Sequence, residues 1–435
     1  MAVTSIRGIF LRQRKYGIDW PGARYDIESH IQDYTENLLK IGKELGVQIE
    51  CKEPFYDSND VAKLADEEEE QPSDGIVIIT LSMRKWDLAN EIVKIGKPTV
   101  IFTPFCAFTK HIAELSKRKG VYLLSTLDFD SIKYGIKMIK TARQLQGTRI
   151  VVLRGDEPEP KDTIVPILGT KIHTIPRMRF LEEFKKIDET EEVIAIAEEY
   201  IDSAKKVVEP SRADIIEAAK TYVASKKILE TKNSNAITLD CLGLIGAGLL
   251  KTTPCLGFSR LCDEGLPAAC EADIDSLLTM LVLRYLFDKP SFIGDPTVDT
   301  VKNTWINSHC TSATKLAGIG SSPEPFLLRR YGHLDLGVSP QVLWREGQEI
   351  TLAKFQNSDE MIIGSGKVVG NIDTPPSYMC ITSVEVKVDG VEDMRDVEKD
   401  VKALHVLLMY ENKAKELSSF CQLMGIKSIQ VGRND

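Results

Sequence analysis

The chain has 435 residues, of which 43% are hydrophobic and 27% charged, an ordinary globular composition with enough polypeptide for two or three cores. Lys and Arg number 55 against 64 Asp and Glu, a formal charge of −9, which opposes nonspecific attraction to a phosphate backbone and excludes nucleic acid as an expected partner. No apolar run reaches the roughly 18 to 20 residues that span a bilayer, and the N-terminal stretch has its apolar run too short and its basic residues on the wrong side for a secretory signal, so a cytoplasmic protein without a membrane partner is expected.

In chain order, the pattern predicts a strand over residues 6–11, an amphipathic helix over 27–45, and a strand over 76–80 after a Pro72-Ser73-Asp74-Gly75 turn. Helix over 86–95, strand over 98–103, helix over 110–118, strand over 122–125 and helix over 132–144 follow. Such alternation builds a parallel sheet covered by helices. The acidic run at 66–70 is read as a solvated loop or helix end. A second unit starts near Gly147, with a strand over 149–153, a strong helix over 214–226 and a β–loop–helix–β passage over 236–296.

Beyond about residue 336, short alternating runs at 350–355, 361–369 and 383–388 predict antiparallel strands. An apolar strand over 403–409 and a helix over 413–424, capped by Gly425, close the chain. The expected fold class is therefore α/β: two parallel-sheet, Rossmann-like domains at 1–147 and 148–330, then a C-terminal domain at 331–435 rich in antiparallel β with a final helix. The nine cysteines are scattered and include no C-x-x-C pair, which signals reduced thiols rather than a disulfide framework or zinc ribbon.

The chemistry concentrates in the 236–296 passage. Glu271 stands where a short strand hands over to an almost wholly apolar helix, and Asp295 ends the strand to which that helix returns. In a βαβ unit both positions fall at the carboxyl edge of one sheet, where ligand crevices form. Taken singly, Glu271 reads equally as a helix cap and Asp295 as a turn residue before Pro296. Together the two acids repel unless a cation compensates, and a hard divalent ion is the usual one.

Of six histidines, His309 lies shortly after Asp295 and His405 interrupts an apolar strand. His405 reads as a satisfied core residue or, with two carboxylates nearby, as a ligand to manganese or a similar ion. His333 is a loop candidate for substrate contact. Cys270 and Cys310, beside the proposed ligands, read as small buried residues. The Gly243-Leu-Ile-Gly246-Ala-Gly248 cluster does not have dinucleotide-loop spacing and reads as helix packing or a turn beside the crevice.

The block Cys255-Leu-Gly-Phe-Ser-Arg260, Asp263-Glu264-Gly265, Ala269-Cys270-Glu271-Ala272-Asp273, Gly294-Asp295 and His309-Cys310 resembles the core of the L-fucose isomerase and L-arabinose isomerase superfamily. The Leu404-His405 strand followed by Phe420-Cys421-Gln422-Leu423-Met424-Gly425-Ile426 resembles its C-terminal segment. The resemblance implies a divalent metal, typically Mn2+, held by Glu271, Asp295 and His405, with His309 as a further ligand and the acids moving protons. It implies an aldose–ketose isomerase acting on a free sugar through a cis-enediol, with no organic cofactor. It also implies a homo-oligomer, a trimer or hexamer, in which a neighbouring subunit's N-terminal domain helps to close the crevice.

Two other readings compete with it. A non-catalytic sugar-binding or regulatory protein on the same scaffold has no need for these residues to meet at an ion. An iron oxygenase using His309, His405 and one acid leaves the second carboxylate without a role.

Overall fold

A computed structural model describes residues 3–16, 20–104, 109–157, 159–331, 334–372 and 379–432. The chain divides into two units, Met1–Gly147 with Ser418–Lys427, and Thr148–Leu417 with Ser428–Asp435.

In the first unit, strands β1 (Thr4–Leu11), β2 (Val47–Cys51), β3 (Gly75–Thr80), β4 (Thr99–Thr103) and β5 (Val121–Ser125) form a parallel sheet in the order β2-β1-β3-β4-β5. The segments between them hold α1 (Ile27–Leu45), α2 (Ser58–Glu70), α3 (Trp86–Val93) and α4 (Lys110–Leu115), and α5 (Ile132–Gly147) follows β5. Every residue of β3 and β4 is buried, and their continuous Ile and Val runs are what a sheet covered on both faces requires. Helix α1 starts at Asp26, whose side chain accepts from the Ser29 N–H, and stops at Gly46 in the left-handed region.

The acidic run at 66–70 is the helix end that the sequence allowed, the last turn of α2, and its other four acids are exposed, but Glu68 is buried rather than solvated. Its carboxylate accepts from Arg7 Nε at 2.9 Å and from the Ser73 N–H at 2.8 Å, with Lys97 Nζ 3.3 Å away. A buried charge persists only when partnered in this way.

The second unit contains three sheets. Strands β6 (Arg149–Leu153), β7 (Lys161–Ile164), β8 (Lys171–Ile175), β10 (Ala236–Leu239) and β11 (Ala268–Cys270) make the first, ordered β11-β10-β6-β8-β7 and parallel except for β7. Helices α6 (Met178–Phe184), α7 (Glu191–Ser203) and α8 (Arg212–Thr231), with the short β9 (Lys206–Val207), lie between β8 and β10 in the chain. Helices α9 (Cys241–Gly246) and α10 (Cys255–Asp263) separate β10 from β11, and α11 (Ile274–Phe287) follows. The glycine cluster falls on α9 and its exit. At Gly243 an added Cβ would meet Arg177 Nη1 at 1.9 Å, so the glycine leaves room for the Arg177–Asp240 ion pair of 2.7 Å.

The remaining strands are β12 (Phe292–Asp299), β13 (Thr304–His309), β14 (Phe326–Tyr331), β15 (Leu336–Val342), β16 (Glu349–Asn357), β17 (Glu360–Asn371), β18 (Thr382–Val388), β19 (Val406–Tyr410) and β20 (Lys427–Gln430), with α12 (Ala414–Met424) before the last. Seven of them form a sheet ordered β16-β19-β12-β13-β18-β17-β20, and β16 also pairs with β17, so the sheet closes on itself like a barrel. Strands β15, β14 and β9 form a third sheet. The chain is thus mixed α/β, with parallel sheets and an antiparallel, barrel-like sheet toward the C-terminus.

The βαβ reading of the 236–296 passage is corrected. Strand β11 belongs to the parallel sheet, but β12 is antiparallel to β13 and β19 in the barrel-like sheet. Helix α11 links two sheets instead of crossing over one. Strand β12 finds its partner through a local hairpin to β13, a pairing that the proline after Asp295 does not prevent, because Pro296 lies past the stretch paired with β19.

Candidate metal centre

Two sheets deliver the site. Glu271 follows β11, and both it and Ala272 adopt left-handed backbone, at φ 61° and 55°. The Ala272 N–H donates to the Leu239 carbonyl at 3.1 Å and the Asp273 N–H to the Cys270 carbonyl at 3.2 Å, closing a tight turn. Two consecutive non-glycine residues in this region cost about 1 kcal/mol or more each, strain of a kind that persists where surrounding structure over-determines it. Asp273 then caps α11, its Oδ1 accepting from the Ser276 N–H at 2.8 Å.

The other three residues come from three adjacent strands, and Asp295 does not end its strand as the sequence suggests but lies inside β12, which runs on through Pro296 to Asp299 in its pairing with β13. Gly294 on β12 pairs with Val406 on β19, so the next step of the register sets Asp295 beside His405. On the other side Asp295 pairs with Ser308, one residue before His309 at the end of β13. His405 is not inside its strand, as the sequence suggests, but immediately before it. Gly294 allows close passage here: an added Cβ would meet Asn307 Nδ2 at 2.4 Å, and that nitrogen donates to the Val406 carbonyl at 3.2 Å.

The side chains converge. His405 Nε2 stands 3.6 Å from Glu271 Oε2 and 3.5 Å from Asp295 Oδ1, and His309 Nε2 stands 3.7 Å from Glu271 Oε1. The imidazole centroids are 5.2 Å apart with planes at 76°. These separations are too long for hydrogen bonds. They approach the roughly 3.0–3.4 Å that separates two ligands each about 2.1 Å from a common ion.

Among the described residues, Glu271, His309 and His405 offer ligand atoms that all lie within 4.8 Å of one another; Asp295 adjoins this trio through His405. Both Nε2 atoms are buried and have no hydrogen-bond partner, an arrangement that costs free energy unless something else meets them. The donor set of two imidazoles and carboxylates therefore fits a divalent ion of borderline or hard character. His333 lies outside the described residues.

The electrostatics point the same way. Contact with His309 lowers the Glu271 carboxyl below its usual range, against the opposing effect of burial. Burial pushes the His309 imidazole down, but Glu271, Cys380 and Asp295 outweigh it and its affinity for a proton is raised. The space between these groups is one in which positive charge is favoured.

Sequence reasoning assigned no role to Asp273 or Lys354. Asp273 Oδ2 lies 2.8 Å from His405 Nδ1, and Lys354 Nζ on β16 donates to the same oxygen at 2.6 Å. Burial alone would raise the Asp273 carboxyl, but His405, Lys354 and Ser276 hold it well below the usual range, so it acts as an acceptor. An ionised Asp273 accepts a hydrogen bond from His405 Nδ1, which leaves Nε2 of the ring facing Glu271 as the atom to meet an ion. His309 is held differently: the Thr311 N–H approaches its Nδ1 at 3.3 Å, a contact that puts the hydrogen of the neutral ring on Nε2, so ligation through Nε2 requires this long bond to be given up. The one hint of Lys354 was a lysine between the apolar Ala353 and Phe355 of a strand, which names no partner; Asp273 was masked by its second role as a cap.

The cysteines near the site are buried thiols. Cys270 Sγ lies 2.9 Å from Thr311 Oγ1. Its neighbour Cys241 and burial push the Cys270 thiol up, and Cys380 and burial do the same to Cys310. Among the described residues no cysteine forms a disulfide.

No protein-family model matches the chain. Over 182 residues it is 25% identical to the sulfoquinovose isomerase of Clostridium sp. (strain MSTE9), a stretch that covers 41% of this chain and 40% of that protein. The chain therefore matches less than half the length of this curated relative. Among the described residues, no helix is long and apolar enough to cross a membrane.

Proposed function

We propose that the chain is a metal-dependent aldose–ketose isomerase acting on a free sugar. The observation that carries this reading is the pair of buried, unpartnered imidazole nitrogens facing Glu271. Glu271, His309 and His405 hold the ion, Asp295 completes the set beside His405, and Mn2+ is the favoured metal. When bound, the ion supplies Lewis acidity for the negative charge that develops on the sugar's oxygens.

The protein's part is proton movement. One carboxylate, Glu271 or Asp295, accepts the proton from C2, and an acid returns one to C1, passing through a cis-enediol. Both acids approach His405 Nε2, at 3.6 and 3.5 Å, and either is placed to serve as the base. His333 is retained as a substrate contact. Fucose- and arabinose-type sugars are the first substrate class, and the name of the relative adds sulfoquinovose to the panel. The reading also carries a cytoplasmic homo-oligomer, a trimer or hexamer.

The test is a panel of free aldoses and ketoses, sulfoquinovose included, incubated with purified protein and added Mn2+ in deuterated water. The expected result is aldose–ketose interconversion with solvent deuterium at C1 or C2. Binding of a sugar without turnover of any member would replace the isomerase by the sugar-binding reading.

A further inference from the structure

Lys354 is a costly residue in its place. Its side chain is 3% exposed, and β16 already docks on α11 through the Phe355 N–H, which donates to Thr279 Oγ1 at 2.9 Å. An apolar side chain would fill the slot without the desolvation of an ammonium group. The charge instead goes to one atom. Lys354 Nζ donates to Asp273 Oδ2 and to Ser276 Oγ, both at 2.6 Å, and Ser276 Oγ donates to that same carboxylate oxygen at 2.8 Å. The third group at Asp273 Oδ2 is His405 Nδ1.

We infer that Lys354 is a positioning residue for the metal centre, clamping Asp273 so that the His405 ring is fixed with Nε2 toward Glu271. Asp273 must satisfy two tasks that compete in direction: capping α11 through Oδ1, and receiving His405 through Oδ2. A carboxylate held by the cap alone can rotate about its side-chain bonds and release the imidazole. The ammonium group holds Oδ2 with a charge-assisted bond, and Ser276 Oγ holds both partners. His405, with 0% of its side chain exposed, then has one ring orientation available. Partners of metal-ligating histidines in this position typically change metal affinity by 10- to 100-fold when removed.

The inference rests on the proposed metal site, and two readouts separate its failure from the failure of that reading. The first is Mn2+ affinity of the full chain by calorimetry. Lys354→Met, of similar length and apolar, is expected to weaken Mn2+ binding roughly 10- to 100-fold with an unchanged circular dichroism spectrum. Thr279→Val, which removes the other β16–α11 link, is expected to lower stability while leaving Mn2+ affinity within about threefold. The second readout needs no metal: the His405 Nδ1–H resonance, assigned by its loss in His405→Gln, is expected to be sharp and slow to exchange in the wild type and lost or broadened in Lys354→Met.

Wild-type binding with an equal affinity in Lys354→Met overturns the inference and leaves the isomerase reading intact. No wild-type binding removes the metal reading, and the resonance then decides the positioning role: its retention in Lys354→Met overturns it. If Lys354→Met does not fold, Lys354→Gln, which keeps a neutral donor in the slot, is measured by the same two readouts. At least a fivefold loss of Mn2+ affinity supports the clamp and an unchanged affinity overturns it.

Discussion

Exchange of Glu271 for glutamine is expected to lower sugar turnover by roughly 100-fold or more, the usual effect of deleting a general acid–base group, with a further loss through weaker metal binding. The amide keeps nearly the same volume and one carbonyl oxygen, but it cannot accept the C2 proton and has no charge to set against His309 and His405, 3.7 and 3.6 Å away. Asp295→Asn is expected to act in the same direction through its 3.5 Å approach to His405. Initial rates in Mn2+ with circular dichroism as the control check both.

Repulsion between two uncompensated acids would instead make the neutral variant the more stable one. The structure argues against it. The Glu271 carboxyl is lowered below its usual range, first by His309. A depressed folded-state pKa contributes stability above the unfolded value that is lost as pH falls through the folded one. Glu271→Gln therefore gives no stability gain at neutral pH, and a urea midpoint well above the wild type's would contradict this reading of the site.

The second large effect lies in the first unit. Glu68→Gln is expected to destabilise the protein by about 3–5 kcal/mol, the typical result of removing one partner from a buried ion pair. The Glu68 and Arg7 side chains are 2% and 9% exposed, so loss of the carboxylate leaves a buried guanidinium with a poorer partner. Arg7 keeps Glu50 and the Gln71 carbonyl, which places the loss nearer the lower figure.

Burial opposes the charged form of Glu68, but the Ser73 donors, Arg7 and Lys97 outweigh it and lower its carboxyl. Its contribution is accordingly present above about pH 4.3, the unfolded value, and is lost as pH falls further. Urea midpoints should separate wild type and Glu68→Gln widely at pH 7 and converge in acid. Equal midpoints at pH 7 would show that the pair contributes nothing.

The parts of the fold legible in the sequence are those set by local periodicity. Helix α1, with Asp26 before it and Gly46 after it, and the Ile-rich β3 could be read within a few residues. Strand pairing could not, because a run such as 292–299 has the same pattern whichever sheet receives it, and β12 went to the barrel-like sheet. Glu68 was misread for a related reason: a run of four glutamates looks uniformly solvated, while one helix position in it faces Arg7.

At the site, Glu271, Asp295, His309 and His405 were legible because acids and histidines are conspicuous among apolar neighbours, and the chain does bring them to one place. Asp273 and Lys354 were not. An Asp before a helix is explained by capping alone, and the pairing of residues 81 positions apart leaves no local trace.

The most direct test of the central claim is a titration of the metal-free protein with Mn2+, followed by the paramagnetic resonance signal of the free ion. One bound ion per chain is expected, with binding lost in His405→Ala and strongly weakened in Glu271→Gln. No depletion of the free-ion signal by the wild type, or the same depletion by all three proteins, would contradict it.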